Sequence, residues 1–140
     1  MTRHDEARDL VARYLADRGA SDHVRKEGLR GMVARWKAIA HDAEYYDSGI
    51  EDWLNDIDLR DIIAGAVDIA PAAERLAIEP DLFGADATFR AATVETKRSL
   101  WGDAVSATDG HDSQRQWWYF RRPAHPGRAM RADLKRMGID

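Results

Sequence analysis

The stretch HDAEYYDSGIEDWLNDIDLRD, residues 41–61, decides the predicted fold, because it is rich in carboxylates and begins two apolar patterns. The first pattern comprises Ile50, Trp53, Leu54 and Ile57, and the second comprises Leu59, Ile62, Ile63 and Ala66. Spacings of three and four residues are typical of amphipathic helices. In one continuous helix the two apolar faces would point in nearly opposite directions. The pattern therefore predicts two short helices with a break near residue 58.

The polar residues of this stretch fit the starts of these two helices. Ser48 followed by Glu51 matches a capping box, in which the hydroxyl and the carboxylate each accept a hydrogen bond from a backbone N–H group. Asp58 followed by Asp61 repeats the spacing in acidic form. Four polar residues are thus interpreted as helix caps.

The segments that precede this stretch are predicted to be helical. Residues 4–18 place Leu10, Val11 and Leu15 on one face, and Gly19 lies where a left-handed C-cap belongs. A second, longer helix carries a wide apolar stripe from Leu29 to Tyr46. A break near Gly28 is the competing interpretation of this segment.

The second half of the chain contains more proline and glycine residues at predicted helix boundaries. A short helix is predicted over residues 71–78, a turn over residues 80–84 and a further helix over residues 86–101, with Arg90 and Lys97 close to the core. The segment QRQWWYFRRP, residues 114–123, is interpreted as a short buried helix, with an extended segment as the alternative. A last helix starts near Pro126. The prediction is an all-α, single-domain bundle over residues 1–140, with about six to seven helices and no significant sheet.

Composition excludes several classes of protein. The 140 residues are 44% hydrophobic and contain no Cys, which indicates a globular chain without disulfides, thiolate zinc sites or a Cys nucleophile. The longest apolar run, residues 62–67, is far shorter than the roughly 18–20 residues that span a bilayer. A charged start without an apolar signal segment predicts a cytoplasmic location. The abundance of Ala, Arg and Asp, with only four Lys, indicates a bacterial source.

The charge is unevenly distributed along the chain. The net charge is −4, yet residues 41–70 carry nine acidic and one basic side chain, and residues 111–140 carry seven basic and three acidic ones. Several acids stand where they cost stability, either near a helix C-terminus or as a like-charge pair four residues apart. The predicted partner-binding residues are Asp42, Glu44, Tyr45, Asp47, Asp52 and Asp56.

This acidic segment predicts a non-enzymatic protein-binding or regulatory module whose partner has a basic surface. Small acidic helical proteins of this sort include the immunity and antitoxin proteins that block nucleases, which the chain resembles in shape and charge alone. A large aromatic side chain among uncompensated carboxylates is typical of such docking surfaces.

A divalent-metal-dependent hydrolase of a phosphorylated substrate is an alternative. Glu44 and Asp47, followed eleven residues later by Asp58 and Asp61, resemble the paired acidic motifs of all-α nucleotide pyrophosphatases. The ligands of Mg²⁺ or Mn²⁺ would then be His41, Asp42, Glu44 and Asp47. If the chain were instead an HD-type phosphohydrolase, the metal ligands would be His23, His41, Asp42 and Asp68.

A third hypothesis is a single-stranded nucleic-acid binder. Its residues would be Trp117, Trp118, Tyr119, Arg121 and Arg122. Aromatic rings stack on bases and Arg neutralises phosphate. However, four adjacent aromatic residues also close the core of a small domain, and an acidic protein gains no long-range attraction to a polyanion.

Overall fold

The computed structural model describes the backbone of residues 3–19 and 22–140, and the side chains of residues 10–19 and 28–140. The helices are α1 (Arg3–Asp17), α2 (Asp22–Asp42), α3 (Ile50–Ile69), α4 (Ala72–Ala92), α5 (Asp103–Asp109) and α6 (Arg128–Met137). A 3₁₀ turn (Trp117–Phe120) and two three-residue strands, β1 (Thr93–Glu95) and β2 (Arg121–Pro123), complete the fold. The predicted all-α bundle is confirmed. Of the described helices, none is both long and apolar enough to cross a membrane.

Helix α3 runs without interruption from Ile50 to Ile69, so the predicted break near residue 58 is wrong. Ile57 and Ile63 are both fully buried although they belong to the two different apolar faces. The two halves of α3 have different neighbours. Trp53 stacks on Phe89 of α4 with ring centroids 5.6 Å apart, whereas the second half contacts α1. Because α3 is covered on more than one side, its apolar face can rotate along the helix without a break.

The predicted caps of α3 are also wrong. Gly49 occupies the N-cap position, and no side chain of its own can satisfy the first backbone N–H groups. The carboxylate of Asp133 in α6 accepts the hydrogen bond from the Ile50 backbone N–H at 2.9 Å. An added Cβ at Gly49 would lie 2.8 Å from that carboxylate, so glycine permits this close approach. Asp58 and Asp61 lie inside the helix and cap nothing.

Helix α4 continues through Pro80 to Ala92, which contradicts the predicted turn over residues 80–84 and the separate helix over residues 86–101. Ile78, Leu82 and Phe89 form a buried stripe that crosses the proline. Packing of this stripe offsets the cost of a proline in a helix interior, about 3 kcal/mol. Pro71 occupies the N-cap position just before the helix.

Beyond α4 the chain becomes extended and returns to the aromatic run. Strand β1 pairs antiparallel with β2, with Val94 opposite Arg122. The helix predicted over residues 114–123 is therefore only partly correct, because Trp117–Phe120 form a 3₁₀ turn and Arg121–Pro123 form a strand. Strand β1 was not predicted, because its residues continue the apolar pattern of the helix predicted over residues 86–101.

The first and last helices are confirmed, each ending at a glycine with positive φ, Gly19 at 75° and Gly138 at 71°. Within α2, Gly28 has φ 67° and ψ −163°, so the predicted break near Gly28 is present as a kink. These three positions require conformations that favour glycine.

The cation in the core is Arg60 rather than Arg90 or Lys97. Its guanidinium binds both carboxylate oxygens of Asp86, at 2.9 and 3.0 Å, and only 8% of the residue is exposed. Trp36 donates its indole N–H to the same carboxylate at 2.9 Å. Helices α2, α3 and α4 are thereby joined. Arg90 and Lys97 are both exposed, and Arg90 stacks over the ring of Trp117 at 3.8 Å.

Candidate partner-binding face

Tyr45 is exposed over 71% of its surface and is nevertheless fixed in place. Its ring stacks on His125, with centroids 5.1 Å apart and planes 16° from parallel. On either side of Tyr45, the carbonyls of Glu44 and Tyr46 each accept a hydrogen bond at 2.9 Å, from the backbone N–H groups of His125 and Gly127. The segment before α6 thus supports an outward-facing aromatic ring.

Carboxylates flank Tyr45 along the sequence, and several of them are exposed. Asp42 is exposed, and its carboxylate lies 3.2 Å from Nδ1 of the neighbouring His41. Asp47 and Asp52 are exposed and form no ion pair with any described side chain. Glu44 is half-buried and contributes its carbonyl to the contact with His125. These charges remain available to a partner.

Asp56 is an acid of this group whose ionised form is disfavoured. It is half-buried and accepts a hydrogen bond from the hydroxyl of Tyr46 at 2.8 Å. Burial raises the pKa of the Asp56 carboxyl, the Tyr46 hydrogen bond lowers it, and the nearby charge of Asp52 raises it further. Burial also raises the pKa of Tyr46, and the hydrogen bond to Asp56 adds to that effect. The ionised carboxylate of Asp56 is therefore held at a cost.

The residues predicted to bind a metal do not converge. The described part of the chain contains no group of three or more His, Cys, Asp or Glu side chains placed to hold a metal ion. His41 and Asp42 contact each other, but Glu44 and Asp47 do not join them. Asp68 is exposed on α3, and the side chain of His23 lies outside the described residues.

The residues predicted to bind nucleic acid are buried or half-buried. Trp118 and Tyr119 are each 2% exposed, so their faces cannot stack on bases. Arg121 donates to the hydroxyl of Thr93 at 2.7 Å, and Arg122 donates to the carbonyl of Pro123 at 2.9 Å. Trp117 is partly buried beneath Arg90. The aromatic run therefore closes the core, as the competing interpretation expected.

A polar network on the other side of α3 was not predicted from the sequence. Arg18 contacts Asp61 at 3.1 Å and Asp58 at 3.8 Å. Tyr119 donates its hydroxyl to Asp58 at 2.6 Å, and its pKa is raised by burial and by that carboxylate. Residues 58, 61, 65 and 68 share one side of a continuous helix, a signal that the assumed break concealed.

No family model, curated protein or solved structure matches this chain. Its side-chain geometry is therefore the basis for the function proposed below.

Proposed function

We propose that the chain is a non-enzymatic protein-binding or regulatory module of the bacterial cytoplasm, and that it docks the basic surface of a partner protein. The docking surface, called the acidic face below, consists of Asp42, Glu44, Tyr45, Asp47, Asp52 and Asp56. The observation that carries this proposal is the exposed ring of Tyr45, which stacks on His125 within a segment rich in exposed carboxylates.

An aromatic residue held in one orientation favours binding. A mobile side chain loses rotamer entropy when a partner immobilises it, at about 0.5–1.5 kcal/mol. Tyr45 has already lost much of that freedom, because its ring is stacked on His125 and its flanking carbonyls are hydrogen-bonded. Tyr is also among the residues that most often dominate the energetics of protein interfaces.

The charges around Tyr45 select a basic partner. Like charges at Asp52 and Asp56 repel each other across one helical turn, and the raised pKa of Asp56 records part of that repulsion. Lys or Arg side chains of a partner would relieve it. Because most of these carboxylates are exposed, their main contribution is to the rate and specificity of association, which salt reduces.

The proposal is tested by capturing partners from a cytoplasmic extract of the source organism. Wild type is compared with Tyr45→Ala combined with Asp47→Asn and Asp52→Asn. The matched control carries Phe83→Ala and Asp81→Asn, an exposed aromatic residue and an exposed acid on α4.

We expect wild type and the control to retain the same basic protein, and the acidic-face variant to lose it. With the purified partner, Tyr45→Ala should weaken the Kd by about tenfold or more, equivalent to about 1.4 kcal/mol. Affinity should also fall as salt increases. Capture that is equal in all three proteins, or a partner without a basic surface, would overturn the proposal.

A further inference from the structure

A cavity of about 270 Å³ lies on the opposite side of α3 from the acidic face. Arg18, Asp58 and Asp61 form one wall, and Trp101, His111 and Tyr119 line it from the segment that follows β1. Residues of α5, Asp109 among them, complete it. The cavity, called the α5 cleft below, is near the lower end of the size range of small-molecule sites.

Unpartnered polar atoms concentrate around the α5 cleft. Among the described side chains, the buried polar atoms without a hydrogen-bond partner are Trp101 Nε1, His111 Nδ1 and Trp118 Nε1. Trp101 and His111 line the α5 cleft, and the side chain of His111 is only 9% exposed. Trp118 lines an adjoining cavity that shares Arg18 and Asp61 with it. Proteins rarely leave such groups unpaired, so their convergence on one place points to a ligand.

Helix α5 is an exposed element at the edge of the cleft. None of the α5 side chains is buried, whereas α3, α4 and α6 each contain buried residues. It is bounded by Gly102, with φ 94°, and Gly110, with φ 67°. Trp101 and His111 are the residues immediately outside these two glycines. Rotation at the glycines would therefore uncover the two unpartnered side chains together.

The chemistry of the α5 cleft defines the ligand. Its walls carry one cation, Arg18, against three carboxylates, Asp58, Asp61 and Asp109, so an anionic ligand is disfavoured. The indole N–H of Trp101 can only donate a hydrogen bond, whereas the carboxylates can only accept one. Hydroxyl groups do both. The rings of Tyr119 and His111, whose centroids are 4.7 Å apart, offer apolar surface beside these polar groups.

We propose that the α5 cleft binds a small, hydroxyl-rich molecule of monosaccharide size without negative charge, which enters when α5 swings away at Gly102 and Gly110. The hydroxyl groups accept hydrogen bonds from Trp101 and donate to Asp58, Asp61 or Asp109. This site and the acidic face have no residue in common, so either proposal can fail without the other.

The experiment is a titration of the ¹⁵N-labelled protein with glucose, galactose, mannose and ribose, followed through the indole N–H resonances of its tryptophans. The resonances of Trp36 and Trp53 are internal controls, because their N–H groups are already bonded to Asp86 and to the carbonyl of Arg121. We expect at least one sugar to shift the Trp101 resonance with saturation, and to leave the two control resonances unchanged. Glucose 6-phosphate should bind at least tenfold more weakly than glucose.

Variants separate binding from a structural role. Trp101→Phe keeps a ring and removes the unpartnered N–H, so it should leave Tm unchanged or raised while weakening binding by tenfold or more in calorimetry. Asp109→Ala should weaken binding, whereas Asp103→Ala, on the same helix but outside the α5 cleft, should not.

Several results would overturn the inference. Shifts that rise linearly with every sugar, or no shift with any of them, would mean that water alone occupies the α5 cleft. Equal or tighter binding of glucose 6-phosphate would refute a ligand without negative charge. Equal effects of Asp109→Ala and Asp103→Ala would refute the location.

Discussion

Replacement of Gly65 by alanine tests the contact between α1 and α3. In a helix interior, alanine is normally more stable than glycine by about 1 kcal/mol. At Gly65, however, an added Cβ would lie 1.8 Å from the hydroxyl oxygen of Tyr14 and 2.4 Å from its Cζ. That hydroxyl accepts a hydrogen bond from Arg18 at 3.2 Å. Gly65 therefore allows the Tyr14 ring to lie directly against α3.

The size of the effect follows from the opposing contributions. Tyr14 must move away, which costs about 1–3 kcal/mol in displaced packing and about 1 kcal/mol for the hydrogen bond to Arg18. The helix propensity of alanine offsets about 1 kcal/mol of this loss. We expect Gly65→Ala to lower the free energy of unfolding by about 1–3 kcal/mol. Gly84→Ala in α4, where an added Cβ meets nothing within 4 Å, should raise it by about 0.5–1 kcal/mol.

Urea denaturation followed by circular dichroism measures both variants. In a Tyr14→Ala background the obstacle is gone, so adding Gly65→Ala should be neutral or stabilising. The double-mutant cycle should then show a coupling of about 2 kcal/mol or more. If Gly65→Ala proved as stable as Gly84→Ala, Tyr14 would not lie against α3 and the description of the Arg18 network would be wrong.

Three further predictions concern the core, the acidic face and α4. Asp86→Ala should lower the free energy of unfolding by about 3–5 kcal/mol in urea denaturation, because it leaves Arg60 buried without its partner. As a control, Asp81→Ala at an exposed position should change the free energy of unfolding by less than about 0.5 kcal/mol. Similar values for the two variants would refute the buried ion pair. Asp56→Asn should stabilise the protein at pH 7, because the raised pKa of Asp56 means that its ionised form costs stability. This gain should shrink as pH falls through the folded-state pKa of Asp56 towards its ordinary value, so thermal melts that show a larger gain in acid would contradict it. Pro80→Ala should raise Tm, because it restores a hydrogen bond and removes a steric conflict within α4, and a lower Tm would show that the proline is needed for a bend.

The features that depend on neighbouring residues could be predicted from the sequence. The apolar spacing in α6 and the glycines after α1 and α6 predicted those helices and their ends, because helical periodicity and positive φ are local properties. The prediction that Tyr45 and the acids near it bind a partner also came from the sequence, since it rests on residue types and spacing. The all-helical class followed from the same local signals.

The positions at which packing outweighs these local preferences are visible in the tertiary structure alone. Helix α3 stays continuous because different elements cover its two halves, and α4 passes through Pro80 because its buried stripe packs against α2. Tyr45 is held by His125, eighty residues further along the chain. Contacts between residues so distant in sequence leave no local pattern, and their packing energy exceeds the preference of any single residue.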